Sequence, residues 1–558
     1  MQIKETILRL FILLLSYPAI AQTTYLAEGD KANILLERLE IKLQKDSVFN
    51  FSKIKPFNRR IITARVARLD TSNELSNVDR YNIHSLMLNN IEWASGNRKD
   101  FESKKSIGKN FYKTPANLFE VHTKDFFLVV NPVIQYVLSK ESNNSQHLFL
   151  NTRGVTVRGR IADKIGFAAY LTDNQERDPL YVQAFEKKFK AVPGAGFYKP
   201  FKSTGYDYFD ARGYFTFGVT KFIDVTFGYD KNFIGNGYRS LFLSDFSTNA
   251  LFLRLNTRIW KLNYQNLFME LNSSDIRIGD VLLPKKYAAL HHLDIAVTKW
   301  LNIGVFEGII FGRKDYFEFG YLNPVIFYRS VEQQNGSFDN SVAGLDAKAN
   351  VAKKVQFYGQ LLLDEFLLSE IKKNRGFWGN KFGMQIGAKY IDAFNIKNLD
   401  LQVELNRVRP FTYSHGDSVA NYAHYNQPLA HPLGANFKEL IGIARYQPAP
   451  RWFAQVKLIH YTQGVDSTSK ESFGSNILLP NIPPFRLKDY GFDIGAGQTA
   501  KATLASFLVS YELRENLFLE LSALFRKYDL TTPPVSNQNT SIISFGVRWN
   551  MHRREFDF

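Results

Sequence analysis

The sequence predicts an all-β transmembrane barrel of about 18 antiparallel strands, preceded by a small helical region. Three observations carry the prediction. Apolar and polar residues alternate with a period of two over most of the chain. Aromatic residues make up 15% of it, with 48 Phe and 28 Tyr against 5 Met, an excess that the interfacial girdles of a barrel would use. No apolar run beyond the N-terminus reaches the ~20 residues that a spanning helix needs. Residues 126–138 come nearest, and Asn131, Pro132 and Gln135 interrupt them.

The alternation is clearest near the end of the chain, where Ile543, Phe545, Val547 and Trp549 alternate with Ser544, Gly546, Arg548 and Asn550. Successive side chains of a strand point to opposite faces, so one face here suits hydrocarbon and the other water. The chain then runs to Phe556-Asp557-Phe558, and the expectation is a final two-faced strand ending in an aromatic residue. Leu399, Leu401, Val403 and Leu405 alternate with Asp400, Gln402, Glu404 and Asn406. The same holds for Val155 to Ala162, Trp452 to Ile459 and Leu517 to Arg526, with charges on one face only. Leu361-Leu362-Leu363 is apolar on both faces and departs from the pattern. A soluble propeller would instead show a repeat of about 40–50 residues, and none is found.

Residues 1–21 read as a cleaved secretory signal peptide: Lys4 and Arg9, an apolar stretch from Leu10, and a small-x-small site at Ala19-Ile20-Ala21. Residues 22–114 read as a periplasmic helical region and linker. Leu35, Leu39 and Leu43 recur every four positions, Asn58 can cap a helix carrying Ile62, Val66 and Leu69, and Ser76 with Asp79 resembles a capping box ahead of Ile83, Met87 and Ile91. Residues 115–558 are the barrel. At about 24–25 residues per strand with its connection they hold ~18 strands. Pro and Gly clusters mark long loops at residues 192–204, 410–435 and 466–484, destined for the outer face or for the lumen.

The chain has no cysteine, which excludes disulfides, thiolate metal sites and a lipid-anchored N-terminal Cys. Its net charge is +17; residues 1–21 carry Lys4 and Arg9 against Glu5, so the remainder carries +16. A basic surplus suits an anionic partner such as lipopolysaccharide phosphates or an acidic polysaccharide, or equally Lys and Arg lining a watery lumen and the membrane rims. An exported chain without a binding motif is not expected to bind nucleic acid.

Residues that could carry chemistry do not assemble into a catalytic pattern. His415, His424 and His431 share one loop, but their spacing matches no compact ligand motif. His291-His292 would point to opposite faces of a strand, as would Asp364-Glu365, which argues against joint ligation or paired acid–base catalysis. No Gly-x-Ser-x-Gly elbow is present. The expectation is no enzyme, no cofactor and no metal. Two stretches suit saccharide binding instead. Gly235-Asn236-Gly237-Tyr238-Arg239 is a tight turn that hairpin geometry by itself explains, or that presents an Arg to an anionic sugar or phosphate. Arg407-Val408-Arg409-Pro410-Phe411-Thr412-Tyr413 sets two cations of like facing beside aromatics, as a sugar site or as an interfacial aromatic girdle with snorkelling Arg.

Several stretches together resemble the Wzi-like capsule assembly family of outer-membrane proteins in its Bacteroidetes-type branch, a group that includes the gliding-motility protein RemB. They are residues 227–240, Tyr321-Leu322-Asn323-Pro324-Val325-Ile326-Phe327-Tyr328-Arg329, residues 358–366, Trp378-Gly379-Asn380-Lys381, residues 409–415, residues 429–437 and Lys55-Pro56-Phe57-Asn58-Arg59. The resemblance implies an 18-stranded outer-membrane barrel with a periplasmic helical bundle, holding capsular or exopolysaccharide at the cell surface as a lectin-like protein rather than an enzyme. Arg239, Arg407, Arg409, Tyr413, His415 and Asn436 are the candidate ligand-binding residues, through charge pairing, stacking and hydrogen bonding. The expected partners are an acidic surface polysaccharide and outer-membrane lipid or lipopolysaccharide. The alternative is a gliding-motility component that works through surface motility or secretion proteins.

Overall fold

In the computed structural model the described residues are 23–558 apart from 70–74, 95–97, 274–281, 314–315, 326, 337–338, 467–470 and 532–534. The signal peptide read at residues 1–21 lies outside them. Eighteen strands close a ring in which every neighbouring pair is antiparallel. They are β1 (Phe126–Glu141), β2 (Leu148–Ile161), β3 (Ile165–Arg177), β4 (Gly205–Gly218), β5 (Ile223–Asp230) and β6 (Ala250–Ile259). Next come β7 (Leu262–Asn272), β8 (Lys285–Ala296), β9 (Leu301–Phe311), β10 (Asn340–Val351), β11 (Val355–Glu365) and β12 (Lys381–Tyr390). The ring finishes with β13 (Leu399–Val408), β14 (Phe437–Tyr446), β15 (Trp452–Val465), β16 (Gln498–Arg514), β17 (Leu517–Leu530) and β18 (Ser536–Trp549). The seam joins the last strand to the first, from Ile542 opposite Glu141 to Trp549 opposite Ile134.

The period-two reading places the faces correctly. Ile543 and Phe545 are 62% and 54% exposed on the outside while Arg548 is 8% exposed within. An apolar outer wall on a closed ring with no sheet edge is what a bilayer demands; the chain is an outer-membrane β-barrel. Among the described residues no helix is long and apolar enough to cross a membrane. The eight connections at one end are short, two to eight residues, whereas seven of the nine at the other run 12 to 32 residues. These are the short-turn end and the long-loop end.

Three helices cover the short-turn end: α1 (Ala32–Leu43), α2 (Arg59–Ala67) and α3 (Asn77–Leu88). Asn58 caps α2 through the Ile61 amide, and Ser76 with Asp79 forms a reciprocal capping box on α3, each device contributing on the order of 1 kcal/mol. Leu35, Leu39, Ile62, Val66, Ile83 and Met87 meet in one core that continues onto Phe127 and Val129 of β1. Polar contacts reach turns around the rim: Arg38 to Asp392, Asp400 and Asn398, Asn82 to Gln447, Lys31 to Glu512 and Glu515, and Arg158 of β2 to Glu92.

The lumen is filled by the chain itself. From the short-turn end, residues 46–55 enter it; Lys53 pairs with Asp294 at 3.0 Å and with Asp346, and Lys348 reaches Glu40 at 2.5 Å. From the long-loop end, residues 231–249 descend, and Phe233-Ile234 pairs with Ile54-Lys55. Residues 409–436 close over them: the Tyr413 and Tyr422 hydroxyls donate to the Leu241 and Phe242 carbonyls at 2.8 and 2.6 Å. Phe242 stacks on Phe306 of the inner wall at 4.4 Å. The inner wall is accordingly not polar throughout. Leu362, Leu267 and Leu290 face inward because they pack on these insertions, which accounts for the doubly apolar Leu361-Leu362-Leu363.

Two further departures involve the chain end and the outer wall. The last strand stops at Trp549 rather than at the terminal aromatic. Residues 550–558 turn back into the lumen, where Phe558 packs on Phe185 and Phe246. On the outside, parts of the β9–β10 connection lie against the wall. Leu253, Phe268, Ala289 and Ile309 are in register across β6 to β9 and face out, and Tyr321, Tyr328 and Val331 cover them. Tyr328 also bonds to outward-facing His291, and Tyr264 to the Pro324 carbonyl. This strap replaces lipid over a sector of the wall that carries polar side chains.

Candidate functional site

The six sequence-predicted residues fall in three places. Arg239 lies in the lumen, 8% exposed. It donates to Asp557 Oδ1 at 3.0 Å and to the Asp557 carbonyl at 2.8 Å, with Glu439 at 3.5 Å. Burial opposes its charge, but Asp557 and Glu439 outweigh burial and keep it cationic. Burial likewise opposes ionisation of Asp557, and Arg239 with Lys457 overcomes it, holding that carboxyl well below the usual range. Arg239 is thus engaged with the chain's own tail.

Tyr413, His415 and Asn436 are buried in the long loops. The Tyr413 amide donates to Asp364 at 2.8 Å. His415 Nδ1 accepts from the Asp417 amide at 3.1 Å. The Asn436 side-chain amide donates to the carbonyls of Gly464, Phe473 and Ala496 at 2.9 to 3.0 Å and its oxygen accepts from the Gly495 amide at 2.8 Å. Asn tolerates the positive φ of 59° at this position. One side chain therefore fastens the β15–β16 loop at both ends.

Arg407 and Arg409 do not share a face, because β13 ends between them. Arg407 is exposed on the outer wall beside Val403 and Leu405, opposite exposed Lys438 of β14. Two cations at the long-loop rim of the wall suit an anionic lipid headgroup. Arg409 turns inward under the loops. Its Nε donates to the Asn380 carbonyl at 2.7 Å, and its Nη2 to the carbonyls of Phe377 and Phe492 at 3.3 and 3.1 Å.

Above Arg409 lies a surface that the sequence reading did not assemble. The β11–β12 and β15–β16 loops are zipped together by backbone bonds: Trp378 N to Asp489 O, Gly491 N to Arg375 O and Phe492 N to Gly376 O, 2.9 to 3.0 Å. Gly376 has φ +66°, and a Cβ there would sit 2.7 Å from the Phe492 nitrogen, so only glycine allows this approach. The zipper aligns Arg375 over the Tyr490 ring at 4.2 Å and Arg486 over Trp378 at 4.1 Å. Phe377 packs on Tyr490 at 5.7 Å. Lys372, Lys373, Arg375, Lys488 and Tyr490 are exposed, and Trp378 is half-buried. Aromatic faces edged with cations can stack on sugar rings while pairing with carboxylate or phosphate groups. Trp378-Gly379 was visible in the sequence; its partner loop lies over a hundred residues away, beyond reach of any spacing rule.

The histidines and the acidic pair have separate structural partners. Burial holds His415, His424 and His431 below the usual imidazole range, His424 at about 3. His424 bonds to the Asn272 amide and the Asn249 carbonyl, and His431 to Glu439 at 2.7 Å. His291 and His292 do point to opposite faces, to Tyr328 outside and Asp346 inside. Asp364 and Glu365 do not face apart as expected: a register shift at the end of β11 lets both reach Lys381, at 3.0 and 3.1 Å.

Among solved structures the chain is similar to Wzi of Escherichia coli, described as an outer-membrane protein involved in group 1 capsule assembly and a carbohydrate-binding β-barrel. The identity is 12%, covering 95% of this chain and 100% of that one, with a TM-score of 0.55. It is also similar to OprD of Pseudomonas aeruginosa (11% identity, 76% of this chain and 94% of that one, TM-score 0.43) and to OccAB2 of Acinetobacter baumannii (10%, 76% and 98%, 0.41). No protein-family model and no curated protein matches the chain. At 12% identity the likeness to Wzi is one of fold alone.

Proposed function

We propose that this protein is a non-enzymatic outer-membrane barrel that binds acidic surface polysaccharide, lectin-like, on its long-loop face. The observation that carries the reading is the filled lumen. A barrel occupied from both ends by its own chain has cavities, the one beside the tail about 440 Å³, in place of a wide bore, so this reading places its chemistry at the surface it exposes. Outer-membrane barrels keep short turns in the periplasm and long loops outside, which puts the helical region on the periplasmic side and the Trp378–Tyr490 platform outside. The platform has the aromatic and cationic character that an acidic glycan requires, and the E. coli barrel of like fold is described as carbohydrate-binding. In this reading Arg375, Tyr490, Trp378 and Lys488 meet the glycan. Arg409 and Asn436 hold the platform, Arg239, Tyr413 and His415 hold the lumen closed beneath it, and Arg407 with Lys438 meets lipopolysaccharide.

The test is retention of purified protein on an array of acidic and neutral polysaccharides. Arg375→Ala with Tyr490→Ala removes one cation and one stacking face, together about 1–3 kcal/mol, or a roughly 5- to 150-fold loss of affinity at unchanged melting temperature. Retention of no acidic glycan by the wild type, or equal retention by the double variant, overturns the reading. A second reading, a motility component acting through protein partners, draws on the strap over β6–β9, a protein surface where lipid is expected. Crosslinking from that sector in intact cells tests it: a specific protein adduct supports it, lipid-only adducts refute it.

A further inference from the structure

The connection after β3 carries an unusual concentration of buried negative charge. Glu176 is the penultimate residue of β3, Asp178 lies just past the strand's end at Arg177, and Glu186 lies on the helix Leu180–Phe189, here α4. Glu176 and Glu186 are fully buried and Asp178 is 6% exposed. Ligand oxygens from the three lie within 4.8 Å of one another. Arg554 of the C-terminal tail answers one of them, its Nη2 lying 2.8 Å from both oxygens of Glu176. Asp178 and Glu186 have no such cationic partner: both oxygens of Glu186 and Oδ2 of Asp178 are buried without a well-formed hydrogen bond, facing one another and the Tyr206 hydroxyl. Uncompensated carboxylates in such a place are costly. Burial first, and the neighbouring carboxylates with it, raise Asp178 and Glu186 above the usual carboxylate range.

We propose that Glu176, Asp178 and Glu186 form a calcium site in the mouth of the barrel. When ionised, three carboxylates against one guanidinium carry a charge of about −2, which a divalent cation cancels; without the ion the charge is relieved by protons, which is what the raised Asp178 and Glu186 reflect. The chemistry selects a hard ion with oxygen ligands. Ca²⁺ takes six to eight oxygen ligands in flexible geometry and suits a cluster of buried carboxylates, whereas Mg²⁺ demands near-ideal octahedral geometry and keeps most of its waters. A cavity of about 220 Å³ lined by Glu176, Asp178, Tyr181 and Arg554 adjoins the cluster and supplies a route for the ion and its remaining water ligands. Because Glu176 is shared with Arg554, the bound ion and the tail are anchored to the same carboxylate.

The experiment titrates the full chain, purified in detergent and stripped with EDTA, with Ca²⁺, Mg²⁺ and Tb³⁺. Tb³⁺ luminescence is sensitised by nearby tyrosines, here Tyr206 beside Glu186 and Tyr208 beside Arg554. The expected result is one Ca²⁺ per chain, Ca²⁺ favoured over Mg²⁺, tyrosine-sensitised Tb³⁺ emission that Ca²⁺ quenches, and a melting temperature that falls on chelation and recovers on re-addition. Glu186→Gln and Asp178→Asn should each weaken binding at least roughly tenfold. Absence of Ca²⁺ binding with no Tb³⁺ emission overturns the site, as does equal binding by both variants, which would place the ion on residual lipopolysaccharide. If a variant does not fold, the wild-type titration alone still decides.

Discussion

Arg239→Ala removes the cation at the centre of the lumen. The arginine makes bonds of 3.0 and 2.8 Å to Asp557 and lies 3.5 Å from Glu439. Its loss strands a carboxylate at each, but not completely: Lys457 remains 2.5 Å from Asp557, and His431 remains 2.7 Å from Glu439. Breaking a buried pair by removing one partner costs about 3–5 kcal/mol, and the surviving partners place this case near ~3 kcal/mol. Asp557→Ala should cost about the same, since it leaves Arg239 and Lys457 facing each other across a shared vacancy. The double variant removes both halves, so its cost should be about 4 kcal/mol instead of ~6, a coupling of about 2 kcal/mol. Urea unfolding of the detergent-folded barrel, followed by tryptophan fluorescence, measures all three. Because the chain has no cysteine, Phe558→Cys supplies a unique reporter. A bulky maleimide should label it slowly in the wild-type background and much faster with Arg239→Ala. Additive costs within about 0.5 kcal/mol, or equally slow labelling in both backgrounds, would refute the idea that this arginine holds the tail in place.

The remaining predictions concern the cap, the loops and the lumen. Glu37 on α1 is opposed by burial but held down to about 2 by Lys389, Lys55 and Arg445, and Asp392 to about 2 by Arg38 in the same way. Both lie below their unfolded values, so their stabilisation is full above about pH 4.5 and drains away as pH falls toward 2; hydrogen exchange should show α1 loosening from the barrel at pH 3 and protected at pH 6. Asn436→Ala leaves three carbonyls and an amide without their partner and should cost about 2–4 kcal/mol, read as new protease cleavage within residues 466–497 while the barrel stays heat-resistant. Gly376→Ala should separate the two platform loops and reduce glycan retention with little change in barrel melting; unchanged retention would dissociate the zipper from the site. In planar bilayers the wild type should show no steady conductance, and a stable ohmic channel would contradict a filled lumen.

What could be read from the sequence was what local physics writes into it. Ile543 to Trp549 shows two faces because lipid and interior impose opposite demands on neighbouring residues, and eighteen such stretches fix the ring. Asn58, Ser76 and Asp79 announce helix starts because a cap is satisfied within three residues. The filling of the lumen left no such trace. Arg239 meets Asp557 across 318 positions and Tyr413 meets Leu241 across 172, and no period or spacing connects them. Sharing one loop made His415, His424 and His431 look like a set, yet each is buried against a different partner. Arg407 and Arg409 looked like facing because alternation was extended one residue past the end of its strand.

The arrangement of the two chain ends dictates an order of assembly. The tail enters through the same mouth that α1, α2 and α3 cover, and the helices grip turns on several sides of that rim. Once the cap is seated the entrance is shut, so the tail must already be inside. The segment synthesised first is therefore the one that docks last, and a barrel caught between these steps would hold its tail inside with its lid still waiting on a tether.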